Sequence, residues 1–426
     1  MEKDTLSRRS FLTSAALGGA AFQIVRPELV RGAADEKLKA GLIGCGGRGT
    51  QAVENILTGC DNVELAAMAD VFEDRLEGAI RNLKALKPEL AGRVKVDAEH
   101  RFVGFDGYRK VIASGIDIVM LATPPAYRPA HFEAAVEARK HIFCEKPFGT
   151  DPVNVRRFMA AAKKSEALKL TVKSGAQRRS QAYYLDQYKR VKNGELGEIQ
   201  ALSAYWVGTP VLQFTSWPNQ KRDPKWSDME FQNRGWYSFL WICGDQIVEQ
   251  HLHNIDVCNW FMGTHPVEVV ASGGAAWRPR VEEYGNIYDH LSADFVYANG
   301  VHLSSYCRQY PGKDAAQNVS ERIVGSKGVI DTASLRGAHP PVDPYVQEHV
   351  DMMNSILGKG PYVNEAMAVA ESTMTCIMGR EAAYSGQKIT WEMIMNSQQD
   401  LLPKSFDYRD SLPVPPLPVP GKYKFV

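Results

Sequence analysis

Residues 38–70 constrain this chain more than any other stretch. Leu38-Lys39-Ala40-Gly41-Leu42-Ile43 reads as a short buried strand, Gly44-Cys45-Gly46-Gly47-Arg48-Gly49 follows, and Thr50 to Leu57 reads as helix. A second apolar run, Val63 to Ala69, ends in Asp70. Spaced glycines alone carry little information, but between a strand and a helix they form the phosphate-cradling turn of a dinucleotide-binding βαβ unit. Gly44 permits the tight turn, Gly46 lets backbone approach a pyrophosphate, and Gly49 lets helix and strand pack closely. Cys45, Gly47 and Arg48 share that loop and are expected at the cofactor with the glycines. The helix start adds unpaired N–H groups and the positive end of its dipole. Asp70 stands 21 residues after Gly49, where an acid hydrogen-bonds the adenosine ribose. The same charge repels a 2′-phosphate, so NAD is expected rather than NADP.

The βα rhythm continues. Ile116 to Leu121 is an apolar strand ending in Ala122-Thr123-Pro124-Pro125, and His131 to Ala138 reads as helix. His141-Ile142-Phe143-Cys144 is the next strand, ending in Glu145-Lys146-Pro147, with a helix (Pro152 to Ser165) and a strand (Lys169 to Lys173) after it. Strands alternating with helices imply a parallel sheet with its ligand at the strands' carboxyl ends. Thr123, Pro124, Glu145 and Lys146 are therefore expected to face the cofactor, with His131 on the following helix. Pro147 stiffens its turn, and a cis bond is open to it.

The second half carries a different signature. A strand, Glu198 to Trp206, leads into a loop from about Gly208 to Arg234, longer than ordinary connections and of the kind that serves a site or lies disordered. Six of the eight tryptophans (206, 217, 226, 236, 241, 260) fall within or beside this region, and two readings are open for them. Rings such as Trp206 and Trp236 suit the C–H faces of a sugar; equally, they can pack a core or an oligomer interface. Trp241 to Phe261 reads as one helix on which Asp245, Glu249, His253 and Asp256 share a face. Four ionisable groups on an otherwise apolar helix are costly to bury, so a polar cleft is expected along it. His253 titrates near neutral pH and is the candidate acid–base group, steadied by Glu249 or Asp256. His251 leaves that face and is assigned to substrate affinity. No metal site is expected, because His251 and His253 point in different directions and no third ligand keeps a familiar spacing. Farther on, Ala298-Asn299-Gly300 between two strand-like runs signals a hairpin, and Tyr288, His290 and Arg308 are candidates to reach the cleft from strand ends.

Together, Gly44-Cys45-Gly46-Gly47-Arg48-Gly49, Ala122-Thr123-Pro124-Pro125, Glu145-Lys146-Pro147 and His253-x-x-Asp256 resemble the Gfo/Idh/MocA oxidoreductases, the glucose–fructose oxidoreductase and inositol dehydrogenase relatives. The resemblance spans nearly all of the chain after residue 34. It implies an α/β protein: an N-terminal Rossmann domain holding a nicotinamide cofactor, and a C-terminal α/β domain with a large, mostly antiparallel open sheet that often serves in homo-oligomers. It also implies hydride chemistry on sugars or cyclitols. The family's triplet lysine falls on Lys146, and its Asp-x-x-x-His pair on Glu249 and His253, with glutamate replacing aspartate. Arg178 falls where the family tends to place a substrate contact. The implied activity is oxidation of a secondary hydroxyl of a sugar or glycoside. An alternative comes from a branch with a similar Gly-Gly-Arg-Gly loop and an export signal: NAD-dependent glycoside hydrolysis by transient oxidation, elimination and re-reduction. A non-catalytic NAD-binding scaffold is the third reading, and the intact Lys146 and His253 argue against it.

Ser7-Arg8-Arg9-Ser10-Phe11-Leu12, the Ala/Gly-rich stretch after it and Gly32-Ala33-Ala34 resemble a twin-arginine export signal. Residues 1–34 are accordingly expected to direct export of the folded chain to the periplasm. Export after folding also favours a tightly held NAD, loaded beforehand. The remaining expected divisions are 35–178 for the nucleotide domain, 179–401 for the substrate and oligomerisation domain, and 402–426 for a proline-rich extended tail. With 50 Lys+Arg against 49 Asp+Glu the chain lacks the basic excess of a nucleic-acid binder. It has no apolar run of about 18 residues, so no spanning helix is expected. Its seven scattered cysteines are expected to be small buried hydrophobes rather than a disulfide framework.

Overall fold

The computed structural model describes residues 37–210, 222–335 and 342–426. The expected export segment, and residues 211–221 of the long loop, lie outside the described residues. Six strands form one parallel sheet: β1 (Leu38–Ile43), β2 (Val63–Asp70), β3 (Arg101–Val103), β4 (Ile118–Leu121), β5 (His141–Cys144) and β6 (Val172–Ser174), in the order β3-β2-β1-β4-β5-β6. Every residue of β4 is buried, as a central strand covered by helices on both faces must be. The order reverses between β1 and β4, and such a switch point opens a crevice at the strands' carboxyl ends.

Seven strands build the second sheet: β7 (Ile199–Gly208), β8 (Glu268–Gly274), β9 (His290–Val296), β10 (His302–Gln309), β11 (Asn318–Gly325), β12 (Gly328–Asp331) and β13 (Ile389–Thr390). Their order is β12-β11-β7-β10-β9-β8-β13, and only β7 and β10 run parallel. Burial alternates along β9, the pattern of a sheet packed on one face only. The Ala298-Asn299-Gly300 hairpin is present: Tyr297 N–H donates to Val301 O at 2.9 Å and closes a three-residue loop between β9 and β10.

The two halves share packing. One apolar cluster runs from Val119, Phe132 and Phe158 to Ile247, Phe295 and Cys376, through the helix Ala366–Ser385, which is buried almost all round. A second cluster covers the other face of the parallel sheet and takes in Met352 and Met353 from the helix Pro344–Ile356. All seven cysteines are buried and free. No helix of the described residues is long and apolar enough to cross a membrane. The proline-rich tail runs without helix or strand across its own chain, where Tyr423 donates to Glu381 Oε2 at 2.8 Å.

One expectation fails. The stretch from Trp241 to Phe261 is three helices, not one: Leu240–Cys243, Gln246–Glu249 and Leu252–Met262. Gly244 and Asp245 both have positive φ, 78° and 80°. Asp245 holds the break by accepting from its neighbour's N–H, from Tyr288 N–H at 2.8 Å and from Tyr384 hydroxyl. A side chain that bonds nearby backbone competes with the helix ladder, so Asp245, Glu249, His253 and Asp256 do not share one face.

Candidate active site

At the carboxyl end of β1 the glycine loop closes on steric grounds. Gly44 has φ +97°, and a Cβ there would lie 2.6 Å from the Ala122 carbonyl carbon and Thr123 N. A Cβ on Gly49 would meet Gly44 O at 1.9 Å, whereas one on Gly46 would meet nothing within 4 Å. Gly46 thus leaves the loop open toward the crevice, at the start of the helix Gly47–Gly59, which has no side-chain cap and no acid in its first turn. Those N–H groups and the dipole favour an anion. Asp70 closes the far side: Oδ2 accepts from Cys45 N–H at 2.7 Å and Oδ1 from Phe72 N–H at 2.9 Å. Burial pushes its carboxyl above the ordinary value against those two donors. These features fit the pyrophosphate and ribose of a dinucleotide.

The crevice continues as a cleft of about 850 Å³, within the usual range for small-molecule sites. Gly44, Gly46, Gly47, Arg48, Gly49, Asp70, Thr123, Pro124, His131, Glu145 and Lys146 line it from the first domain, and Trp206, Trp236, Glu249 and His253 from the second. The Lys146–Pro147 bond is cis. Lys146 Nζ donates to Glu249 Oε1 at 2.9 Å and to the Glu249 carbonyl at 2.6 Å, an acceptor that the helix break leaves available. Glu249 is pushed up by burial and drawn back by Lys146 and Arg128, while its Oε2 has no protein partner. His253 lies 5.9 Å from the Trp206 ring, nearly parallel to it. Burial first, then the charges of Lys146, Arg178 and Arg48, hold its imidazole well below the usual range, so it is neutral at physiological pH. Its Nδ1 is buried without a partner. Arg48 sits 3.5 Å from Glu145 and over the Tyr345 ring. His131 lies 3.3 Å from Thr123 Oγ1, stacked on Tyr108 and lowered to about 3 by burial and nearby arginines. Among the described residues no three His, Cys, Asp or Glu side chains gather as metal ligands.

The first-domain half matches the family model described as "Oxidoreductase family, NAD-binding Rossmann fold", over residues 38–174. Residues 38–174 thus carry the NAD-binding Rossmann domain of the Gfo/Idh/MocA oxidoreductases. It is 27% identical over 222 residues to an uncharacterized oxidoreductase, YrbE, of Bacillus subtilis, covering 51% of this chain and 57% of that one. To the myo-inositol 2-dehydrogenase of Thermotoga maritima it is 24% identical over 250 residues, 59% of this chain and 62% of that one. The chain thus spans about three-fifths of the length of these curated relatives. A scyllo-inositol dehydrogenase from Lactobacillus casei, solved with NAD(H) and scyllo-inositol, superposes with a TM-score of 0.63 at 19% identity, over 83% of this chain and 99% of that one. At that identity the likeness shows the shared two-sheet fold.

Within this Gfo/Idh/MocA frame, several expected contacts lie elsewhere. The Cys45 side chain is buried with Sγ on Ala69 O, so only its backbone serves the loop. Arg178 is paired with Glu321, which also accepts from Tyr184 hydroxyl at 2.8 Å. His251 is fully buried against Ser305 Oγ at 2.8 Å. Asp256 takes a two-armed bond from Arg179, both arms 2.8 Å, and another from Ser372. Tyr288 donates to Pro418 O at 2.9 Å. None of the last four lines the cleft, and neither do His290 and Arg308. The cause is common to them: each charged or polar head finds a buried partner behind the site, and burial without one is costly. Arg178 still acts on the site through its field at His253. Trp226, one of the clustered tryptophans, also lies on the cleft wall, and residues missed from sequence include Tyr237, Gln250, Arg234 and Tyr345. The neighbouring tryptophans were a signal for Tyr237; nothing local marks Tyr345, brought in by a helix that packs on the nucleotide domain.

Proposed function

We propose that this chain is an NAD-dependent dehydrogenase that oxidises a secondary hydroxyl of a sugar or glycoside. One observation carries the reading: Lys146, Glu249 and His253, drawn from two domains, converge on the cleft whose opposite wall is the dinucleotide loop. Bound there, NAD supplies the hydride acceptor. The protein supplies the rest. Lys146 Nζ, with an N–H beyond the two it gives to Glu249, donates a hydrogen bond to the oxygen that becomes a carbonyl. His253, held neutral, accepts the hydroxyl proton, and Trp206 keeps its ring in place. Glu249, with one oxygen on Lys146 and one unpartnered, aims the lysine and offers an acceptor to a neighbouring hydroxyl. Trp206 and Trp236 present faces suited to a pyranose. Asp70 selects NAD over NADP, and the cofactor is held tightly, so each further turnover waits on NADH leaving or on a carbonyl acceptor reoxidising it in place.

A second reading, redox-neutral glycoside hydrolysis, shares this first oxidation. It is favoured by the way second-domain residues, Trp226 and Arg234, wall the same cleft as Phe72 and Arg75 at its adenosine end, which suits a cofactor that is never exchanged. A chromogenic glycoside incubated without added NAD separates the two. NADH or keto-sugar accumulating, with at most one equivalent per chain, supports the dehydrogenase; aglycone released over many turnovers supports the hydrolase. Export by residues 1–34 is tested by a reporter fusion, which should reach the periplasm only with Arg8 and Arg9 intact.

A further inference from the structure

Beyond Asp70 the cleft runs past Val71, Phe72, Arg75, Gly104 and Phe105, the stretch left for the adenosine half of a dinucleotide held by the glycine loop. Two elements remote in sequence bear on this stretch: Arg234 lines the cleft itself, and the tail packs on the wall residues Val71 and Phe105. Arg234, at the end of the helix Asp228–Arg234, reaches across to Asp74 with both terminal nitrogens, at 3.2 and 3.3 Å. Its guanidinium lies 4.1 Å from the Phe72 ring centre and 5.2 Å from that of Trp226. The tail supplies the other element. Tyr408 donates to Val71 O at 3.3 Å with its ring 5.1 Å from Phe105, and Phe406 lies 5.6 Å from Phe105 and 5.3 Å from Tyr127.

The two elements are joined. Leu412 N–H donates to Asp228 Oδ2 at 2.8 Å, and Gln232 donates to the Leu412 carbonyl. Tyr127 adds a bond from the nucleotide domain to Asn233 Oδ1 at 2.6 Å. The helix and the tail therefore lift together or not at all. The rim of this cover is wet, with Phe406 36% exposed and the side chain of Asp74, the partner of Arg234, 60% exposed, but Met229, Phe231 and Gln232 behind it are buried, so opening is costly and slow. Arg234 is also bound to Glu230 at 2.9 Å; with two carboxylates on it, it is not free to read a 2′-phosphate.

We propose that Arg234 and the Phe406–Tyr408 segment form a clasp over the adenosine half of the cleft, so that NAD(H) leaves only when helix and tail open together. The inference rests on the reading of the cleft as an NAD site. Affinity differences among variants of one site appear mostly in dissociation, so the test is a release rate. Full-length protein is loaded with NADH, mixed with excess NAD, and followed by energy transfer from tryptophan to NADH. Arg234→Gln and the double variant Phe406→Ser/Tyr408→Ser should each release NADH at least about ten-fold faster than wild type. Hydrogen exchange of residues 402–412 in wild type should slow when NADH binds. Unchanged release in folded variants, or unchanged exchange in wild type where a variant does not fold, overturns the clasp but leaves the NAD site standing. Weaker NADP binding in Arg234→Gln with NADH release unchanged would make Arg234 a phosphate reader instead. Wild type that binds no NADH defeats the clasp and the NAD reading together.

Discussion

At the residue scale, the proposed chemistry sets a neutral base beside a hydrogen-bond donor. His253 is kept neutral by burial and by three cations, so it stands ready as a base; Lys146 Nζ lies 2.9 Å from the Glu249 carboxylate. General acid–base help of this kind is worth about 10²–10⁴-fold. Lys146→Ala and His253→Ala should each lower turnover by about 10²-fold or more, while equilibrium dialysis still finds NAD bound. Glu249→Gln should cost less, since the carbonyl of residue 249 remains on Lys146. The pH dependence follows from the direction of the shift. With its folded value well below 6.5, His253 stays deprotonated as the pH falls through the ordinary imidazole range. The kcat/KM profile for oxidation should then stay flat from about pH 7.5 to about pH 5.5. A fall of about ten-fold per pH unit beginning near pH 6.5 would mean that an unshifted histidine is the base.

Among the elements, the broken helix decides the geometry of the site. The periodicity of residues 241–261 reads as one helix because the partners that break it are distant: Tyr288 and Tyr384 reach Asp245 from 43 and 139 residues away. Only Gly244 hints at the break locally. A second break follows at Gln250–His251: the His253 N–H goes to Gln250 O at 3.2 Å rather than to Glu249 O, which is thereby left for Lys146. A Cβ at Gly244 would meet Val248 Cγ1 at 3.0 Å at a φ of +78°. Gly244→Ala should therefore cost about 1 kcal/mol or more by denaturant titration, and lower turnover beyond what that loss explains. The glycine loop was legible for the opposite reason: the positive φ of Gly44 and the contact of Gly49 with Gly44 O act within a few residues, even though a Cβ on Gly44 would also meet the distant Ala122. The charged residues Arg178 and Asp256 were legible as functional types but not as ion-pair partners of Glu321 and Arg179, because nothing in a linear pattern marks a pairing across the fold.

For the molecule as a whole, the second sheet's half of the chain helps to build the cleft. Its helix Asp228–Arg234, its tail and the helix Pro344–Ile356 all bear on the first sheet's half, so the cleft lies between structures contributed by residues hundreds apart. The two-sheet plan was readable from alternating strands and helices followed by a hairpin; the path of the tail was not, since extended proline-rich chain has no periodicity to report its contacts. Cofactor choice belongs to this scale as well. Asp70 is fixed by the loop on one side and by Phe72 on the other, and Asp70→Ala should weaken NAD binding more than NADP binding when both are titrated by fluorescence.

Hydride transfer at the cleft shared by Lys146 and His253 is tested most directly in a single turnover. Purified protein, with its nicotinamide content fixed by mass spectrometry and completed with NAD, is mixed with a panel of sugars and glycosides while NADH fluorescence is followed. Stoichiometric NADH should appear in wild type with at least one of them, at a rate cut about 10²-fold in His253→Ala. Protein that neither carries nor takes up a nicotinamide, or NADH forming as fast in His253→Ala as in wild type, would contradict it.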